Sequence, residues 1–124
     1  MTIARALEKT EELKANMMLN STKIDYLSQL DGKVYREILA KHADNPAEEC
    51  PEYDSETDQS TELLVPAPYD DIYIYWLFSQ IDIMNQEMDK YNNDRALFEN
   101  AWTEFGDHWR REHMPITTVP RFII

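Results

Sequence analysis

The sequence predicts an all-α fold: a four-helix bundle over residues 1–113, with a long acidic loop at 44–62, followed by an extended C-terminal arm at 114–124. Three observations predict it. Apolar residues recur at three- and four-residue steps in four separate stretches. The most strand-like run, Ile72–Phe78, continues at helical spacing through Ile81, Met84 and Met88. The six prolines all lie outside the periodic stretches, where they punctuate rather than interrupt. At 124 residues the chain is one domain in size, with enough buried surface for one modest core.

Ile3, Ala6, Leu7, Thr10 and Leu13 share one face of a short first helix. Asn20, Ser21 and Thr22 offer side-chain oxygens to cap a second helix. Its inner face carries Ile24, Leu27, Leu30, Val34 and Ile38. Gly32 falls inside it, where it either admits another backbone at close range or is simply tolerated at about 1 kcal/mol relative to alanine. The third element starts behind Pro66 and Pro68, with Asp70 or Asp71 placed to cap its positive end. The run Ile72–Phe78 is rich enough in β-branched and aromatic residues for a strand. However, Ile74, Leu77, Phe78, Ile81, Met84 and Met88 keep helical spacing for about four turns, which decides for a helix. Ile72, Tyr75 and Ile83 form a second apolar stripe, so this helix is central or serves both a core and a partner. A tight connection is expected at 89–93, and a fourth helix then carries Phe98, Ala101, Trp102, Phe105 and Trp109 as bundle core.

Charge is distributed unevenly. The formal net charge is −12, and residues 42–89 hold thirteen acids with no Lys or Arg, while the flanking segments are nearly balanced. That argues against free binding to nucleic-acid phosphates and against a polybasic membrane patch. Eight of the acids lie in 44–62, including Glu48, Glu49, Glu52, Asp54, Glu56 and Asp58, which are expected on a mobile, solvated surface. The arm MPITTVPRFII is the reverse, apolar and broken by Pro115 and Pro120. Its Ile116, Val119, Phe122, Ile123 and Ile124 are candidate anchors on the same bundle or on a neighbouring subunit, of which the neighbour is favoured.

The residues give no reason to expect an enzyme. Cys50 is the single cysteine, and His108 and His113 are five apart, so neither a zinc cluster nor an i,i+4 histidine pair is present. No glycine-rich phosphate loop or serine elbow occurs. Glu8/Glu11 and Glu104/Asp107 have the ExxE and ExxD spacing of magnesium-dependent nucleotide pyrophosphohydrolases, but they lie nearly a chain length apart. No catalytic residue, metal or cofactor is therefore expected. The amino-terminal MTIARALEKT lacks the apolar stretch of a secretory signal, and the longest apolar run, Ile72–Phe78, is far short of a bilayer span, so a cytoplasmic site of synthesis and no membrane association are expected.

The stretch from Pro68 to Pro115 resembles the small head–tail connector proteins of tailed bacteriophages that infect Gram-positive bacteria. The resemblance rests on Pro68–Tyr69–Asp70–Asp71, a tyrosine-rich helix, Asp89–Lys90–Tyr91–Asn92–Asn93, and a Phe/Trp helix ending at His113–Met114–Pro115. Leu30–Asp31–Gly32–Lys33–Val34–Tyr35–Arg36–Glu37–Ile38 and Glu62–Leu63–Leu64–Val65–Pro66 extend it through the first half. It implies a non-enzymatic adaptor in the virion neck, a ring commonly of twelve copies beneath the portal protein that extends the DNA channel and docks the next neck or tail protein. Ile72, Tyr75, Trp76, Trp102 and Phe105 would then pack the core or the subunit contact. The arm would meet portal or sibling, and the carboxylates would let DNA pass without adhering. A second reading is an acidic DNA mimic that blocks a DNA-binding enzyme.

Overall fold

A computed structural model describes residues 1–40 and 49–113. Among them are four α-helices and no strand: α1 (Ile3–Leu13), α2 (Asn20–Val34), α3 (Asp71–Met84) and α4 (Met88–Glu112). None is long and apolar enough to cross a membrane. The fold is all-α, as the periodicity predicts.

α1 begins where the Thr2 hydroxyl accepts the Arg5 backbone N–H at 3.1 Å. Ile3, Ala6, Leu7 and Thr10 are buried as expected, but Leu13 is 60% exposed, because the helix stops there and the chain turns away in an extended Lys14. α2 buries Ile24, Leu27, Leu30 and Val34. No side chain caps it: Leu19 occupies the cap position, and Asn20, Ser21 and Thr22 lie within the first turn. Beyond Val34 the helix widens into one π turn, Tyr35–Leu39, which still delivers Ile38 to the core. A Cβ on Gly32 would meet Arg36 and Cys50 atoms at 3.7 and 3.9 Å, ordinary contact distances. This glycine is tolerated rather than required.

α3 settles the helix-or-strand question, and of its second apolar stripe Ile72 is buried, Tyr75 half-buried and Ile83 exposed. Ile72, Tyr73, Ile74, Trp76, Leu77 and Ile81 are all buried, so the helix is covered on several sides. α1, α2 and α4 all pack against it. Asp70 occupies the N-cap position and Asp71 the first turn, as expected, but no side-chain capping hydrogen bond forms: Asp70 faces the Met1 ammonium at 3.6 Å and Asp71 takes Lys9 Nζ at 3.2 Å. Pairing α1 to α3 offers those carboxylates full charges in place of the backbone N–H partial charges.

The α3–α4 connection is Asn85–Glu87, earlier than the expected 89–93, which is helical. Gln86 adopts φ 56°, its N–H bonds to the Ile83 carbonyl at 3.0 Å, and the Glu87 N–H bonds to the Asp82 carbonyl at 2.9 Å. This is the Schellman closure of a helix with glutamine where glycine is usual. The absent glycine is why the stop is not visible in the sequence.

Ion pairs and ring contacts give the helix directions. Lys9 of α1 and Lys14 just past its end reach Asp71 and Asp82, toward the two ends of α3, so α1 and α3 run the same way. Tyr26 and Asp31 of α2 bond Trp76 and Tyr73, and Phe98 and Phe105 of α4 meet Trp76 and Tyr69, so α2 and α4 run opposite. One pole therefore gathers the α1–α2 and α3–α4 connections. The other gathers Met1, the approach to α3 and the end of α4.

Residues 49–62 have no regular structure but are tied down, which departs from a mobile loop. The N–H groups of Ile3 and Ala4, free at the start of α1, bond to the carbonyls of Thr61 and Gln59 at 3.1 and 2.9 Å. Tyr53 is buried and its N–H bonds to the Ser28 hydroxyl at 3.0 Å.

Candidate functional site

Three places on the molecule concentrate chemistry: an aromatic seam, a buried carboxylate, and the pole of the two connections. The seam joins α3 to α4. Trp76 and Phe98 have ring centroids 5.0 Å apart, Phe98 and Trp102 6.1 Å, and Phe105 and Trp109 6.1 Å. Of the predicted packing residues, Ile72, Trp76 and Phe105 are in the core, while Tyr75 and Trp102 pack against it with part of each side chain in solvent. Trp76 Nε1 donates to the Tyr26 carbonyl at 2.9 Å, which satisfies the indole. Lys33 and Arg95 lie 5.6 and 5.7 Å from the Trp76 ring, a cation–π cover over the seam.

Asp31 is the buried carboxylate. It is fully buried and accepts the hydroxyls of Tyr53 and Tyr73, both at 2.6 Å, and the Leu64 N–H at 3.1 Å. The Tyr73 oxygen in turn accepts the Val65 N–H at 2.7 Å. Burial pushes the Asp31 carboxyl above its ordinary range, and the three donors pull back without cancelling it. Burial beside this carboxylate raises both phenols as well. The group is sealed from solvent and both its oxygens accept donors, so its work is to hold residues 53–65 against α2 and α3. Sequence reasoning missed it. The one available signal was an aspartate on the apolar face of α2, one residue after Leu30.

At the connection pole, Lys14 Nζ bridges Asp82 of α3, at 2.5 Å, and Asp94 of α4, at 2.9 Å. Asp82 is fully buried, and its Oδ2 has no hydrogen-bond partner among the described residues. Burial raises its pKa to about 6, the nearby Asp94 carboxylate adds to the rise, and Lys14 opposes it. The Lys14 ammonium is penalised by burial, yet the two carboxylates carry its pKa above the ordinary value. Around this ion triad the surface mixes exposed polar side chains, among them Asn85, Gln86, Asp89 and Lys90, with large apolar ones. Leu13, Met17 and Leu19 on one side and Ile83, Met84 and Met88 on the other are exposed, Met17 to 89%. Met17 and Leu19 form the lip of a groove of about 650 Å³ between α1 and α2, floored by Leu7 and Met18.

The remaining predicted residues are soon placed. Glu49, Glu52, Asp54, Glu56 and Asp58 are all exposed, whereas Glu48 lies outside the described residues. Asp54 and Asp58 also shape their own turns by accepting the Glu56 and Ser60 N–H groups, each at 2.9 Å. The Ser60 N–H and then its hydroxyl hold the Asp58 carboxyl below its ordinary range. The arm residues Ile116, Val119, Phe122, Ile123 and Ile124 also lie outside the described residues. Glu8 and Glu11 line the α1–α2 groove, while Glu104 and Asp107 line a separate cleft with Tyr69 and Arg111, so the two spaced pairs are not brought together. Among the described residues no three His, Cys, Asp or Glu side chains gather as metal ligands.

Comparison with protein-family models, curated proteins and solved structures gives no match.

Proposed function

We propose that the chain is a structural adaptor of a tailed-phage virion: a four-helix bundle with a long acidic loop and an extended arm. Made in the host cytoplasm, it assembles with copies of itself, commonly twelve, as a ring beneath the portal protein in the virion neck. The ring continues the DNA channel and receives the next neck or tail protein. One observation carries this reading: on a chain of net charge −12, six of the seven large apolar side chains exposed among the described residues lie at the connection pole. Exposed apolar clusters mark contact surfaces. The resemblance of the Pro68–Pro115 stretch to connector proteins supplies the kind of assembly. The exposed carboxylates of 49–58 suit a channel wall that DNA must slide past, since like charge keeps phosphates from adhering.

The test is to add the purified full chain to DNA-filled capsids that carry portal and lack their adaptor, and to image the vertex by electron microscopy. A ring of density on the portal is expected, and a bare portal at saturating protein sinks the reading. The same exposed carboxylates favour a DNA mimic as the second reading. A tight, salt-sensitive complex with a nuclease or repressor, and no ring, would establish that instead.

A further inference from the structure

The connection between α1 and α2 is fastened at a single point. Residues 14–19 have no regular structure, and Asn16 stitches them to one another, donating to the Lys14 carbonyl at 2.9 Å and accepting the Met18 N–H at 3.0 Å. Among the described residues, every hydrogen bond and ion pair that ties this segment to α3 or α4 is made by Lys14. Its ammonium joins Asp82 of α3 to Asp94 of α4 and lies 4.8 Å from the centre of the Phe78 ring. The other end of α1 is held separately, through the Ile3 and Ala4 N–H groups and through Lys9.

Charge at that point does not balance. Two carboxylates share one ammonium, so with all three groups ionised the junction carries one excess negative charge. Asp82 is fully buried with its Oδ2 unpartnered, and it sits in the last turn of α3, where the helix dipole also opposes an anion. Asp94 keeps 14% of its side chain exposed, so the proton that restores balance belongs on Asp82. The other charged side chains toward this end of the helices are engaged elsewhere or in solvent. Glu87 pairs with Lys90 at 2.5 Å, Lys23 of α2 with Glu11 at 3.1 Å, and Arg95 with Glu99 at 3.1 Å. Glu12 of α1, Asp25 of α2 and Asp89 of α4 are exposed. Burial and then the Asp94 carboxylate hold the Asp82 pKa at about 6, with Lys14 opposing them.

We infer that Lys14, Asp82 and Asp94 form a proton-operated clasp on the α1–α2 connection. With a proton on Asp82, its carboxyl becomes a donor to Asp94, the Lys14 ammonium balances the remaining charge, and residues 14–19 are held against α3 and α4. When that proton leaves to solvent, the buried excess charge is relieved by letting water reach Asp82, which frees residues 14–19. The helices stay folded, because the apolar core and the Asp31 network do not depend on this junction. Opening returns Asp82 toward its ordinary pKa of 3.8, so the opening equilibrium rises about tenfold from pH 5 to pH 7.5. The clasp acts within one chain and does not depend on the adaptor reading.

Hydrogen exchange of the full chain, read by mass spectrometry and corrected for the pH dependence of intrinsic exchange, tests it. Peptides over residues 13–20, which hold the bonded Lys14 and Met18 N–H groups, are expected to lose protection about tenfold from pH 5 to pH 7.5. Peptides over residues 72–77 of α3 are expected to keep theirs. Asp82→Asn cannot ionise and is expected to remove the pH dependence. Asp94→Asn, at a side chain nearer solvent, is expected to reduce it, and it answers the same question if circular dichroism shows Asp82→Asn unfolded. Lys14→Met cuts the tie, so its 13–20 peptides are expected to exchange freely at both pH values. The inference is overturned if the parent protects residues 13–20 equally at the two pH values, or if residues 72–77 lose protection to the same extent. It is equally overturned if either asparagine variant, folded, keeps the full parental dependence, or if Lys14→Met stays as protected as the parent at pH 5.

Discussion

Two buried carboxylates of this domain, one toward each pole, are treated in opposite ways. At the Met1 pole, Asp31 is buried with three donors, and Tyr73 serves as donor to it and acceptor from Val65. At the connection pole, Asp82 is just as buried, but one of its oxygens has no hydrogen-bond partner among the described residues, and large apolar side chains stand in water around it. A saturated polar network fixes one arrangement of the chain, because each partner removed leaves the others buried and unsatisfied. An incompletely satisfied, apolar pole lowers its free energy by acquiring a partner. The contrast makes the Asp31 network the more rigid of the two arrangements and Asp82 the less satisfied carboxylate.

The contrast is broken most directly at Asp31. Asp31→Ala strands two phenols and the Leu64 N–H, so chemical denaturation is expected to show a loss of about 3–5 kcal/mol. A loss under 1 kcal/mol would mean that the saturated pole does not govern stability. Tyr53→Phe removes one donor to the same carboxylate and is expected to cost about 1.5–3 kcal/mol in the same measurement, with protease sensitivity rising between residues 49 and 62.

Asp82 sharpens the comparison through pH. Its folded pKa of about 6 stands above the ordinary 3.8, so between those values the native chain holds a proton that the unfolded chain has released. The stabilisation is therefore complete below about pH 4 and is lost as pH rises through 6. Asp31 shifts in the same sense. The melting temperature is expected to rise from pH 7 to pH 5, and to rise less in Asp82→Asn. An identical slope in that variant would remove Asp82 as a source.

The smallest expected effect is at the turn of the connection pole. Gln86→Gly relieves a left-handed residue at a helix stop and is expected to stabilise by about 1 kcal/mol. Destabilisation on denaturant titration would show that the glutamine side chain contributes more than its backbone strain costs.

Much of the helical framework was legible because its determinants are local. Ile3, Ala6 and Leu7, Ile24, Leu27 and Leu30, and Ile74, Leu77 and Ile81 sit at helical steps and are buried on helices where that spacing put them. Element ends were less legible. Met88 rather than Asn93 opens the region of α4, because a left-handed Gln86 carries no sequence mark, and Asp70 and Asp71 answer to Met1 and Lys9 rather than to their own helix. The Asp31 network was not legible at all.

The amino-acid sequence by itself determined the all-α class, the inner faces of α1, α2 and α3, and the confinement of the negative excess to residues 42–89. Periodicity and charge counts depend only on neighbours along the chain. Tertiary structure alone decided that Tyr53, Leu64 and Tyr73 converge on Asp31 across separations of 22, 33 and 42 residues. It alone brought Lys14 to Asp82 and Asp94, which are 68 and 80 residues away, and so set the two helix connections at one pole. Those groups meet because burying the helix faces fixes the order and direction of the helices, and no local pattern records which distant polar groups that packing will bring together.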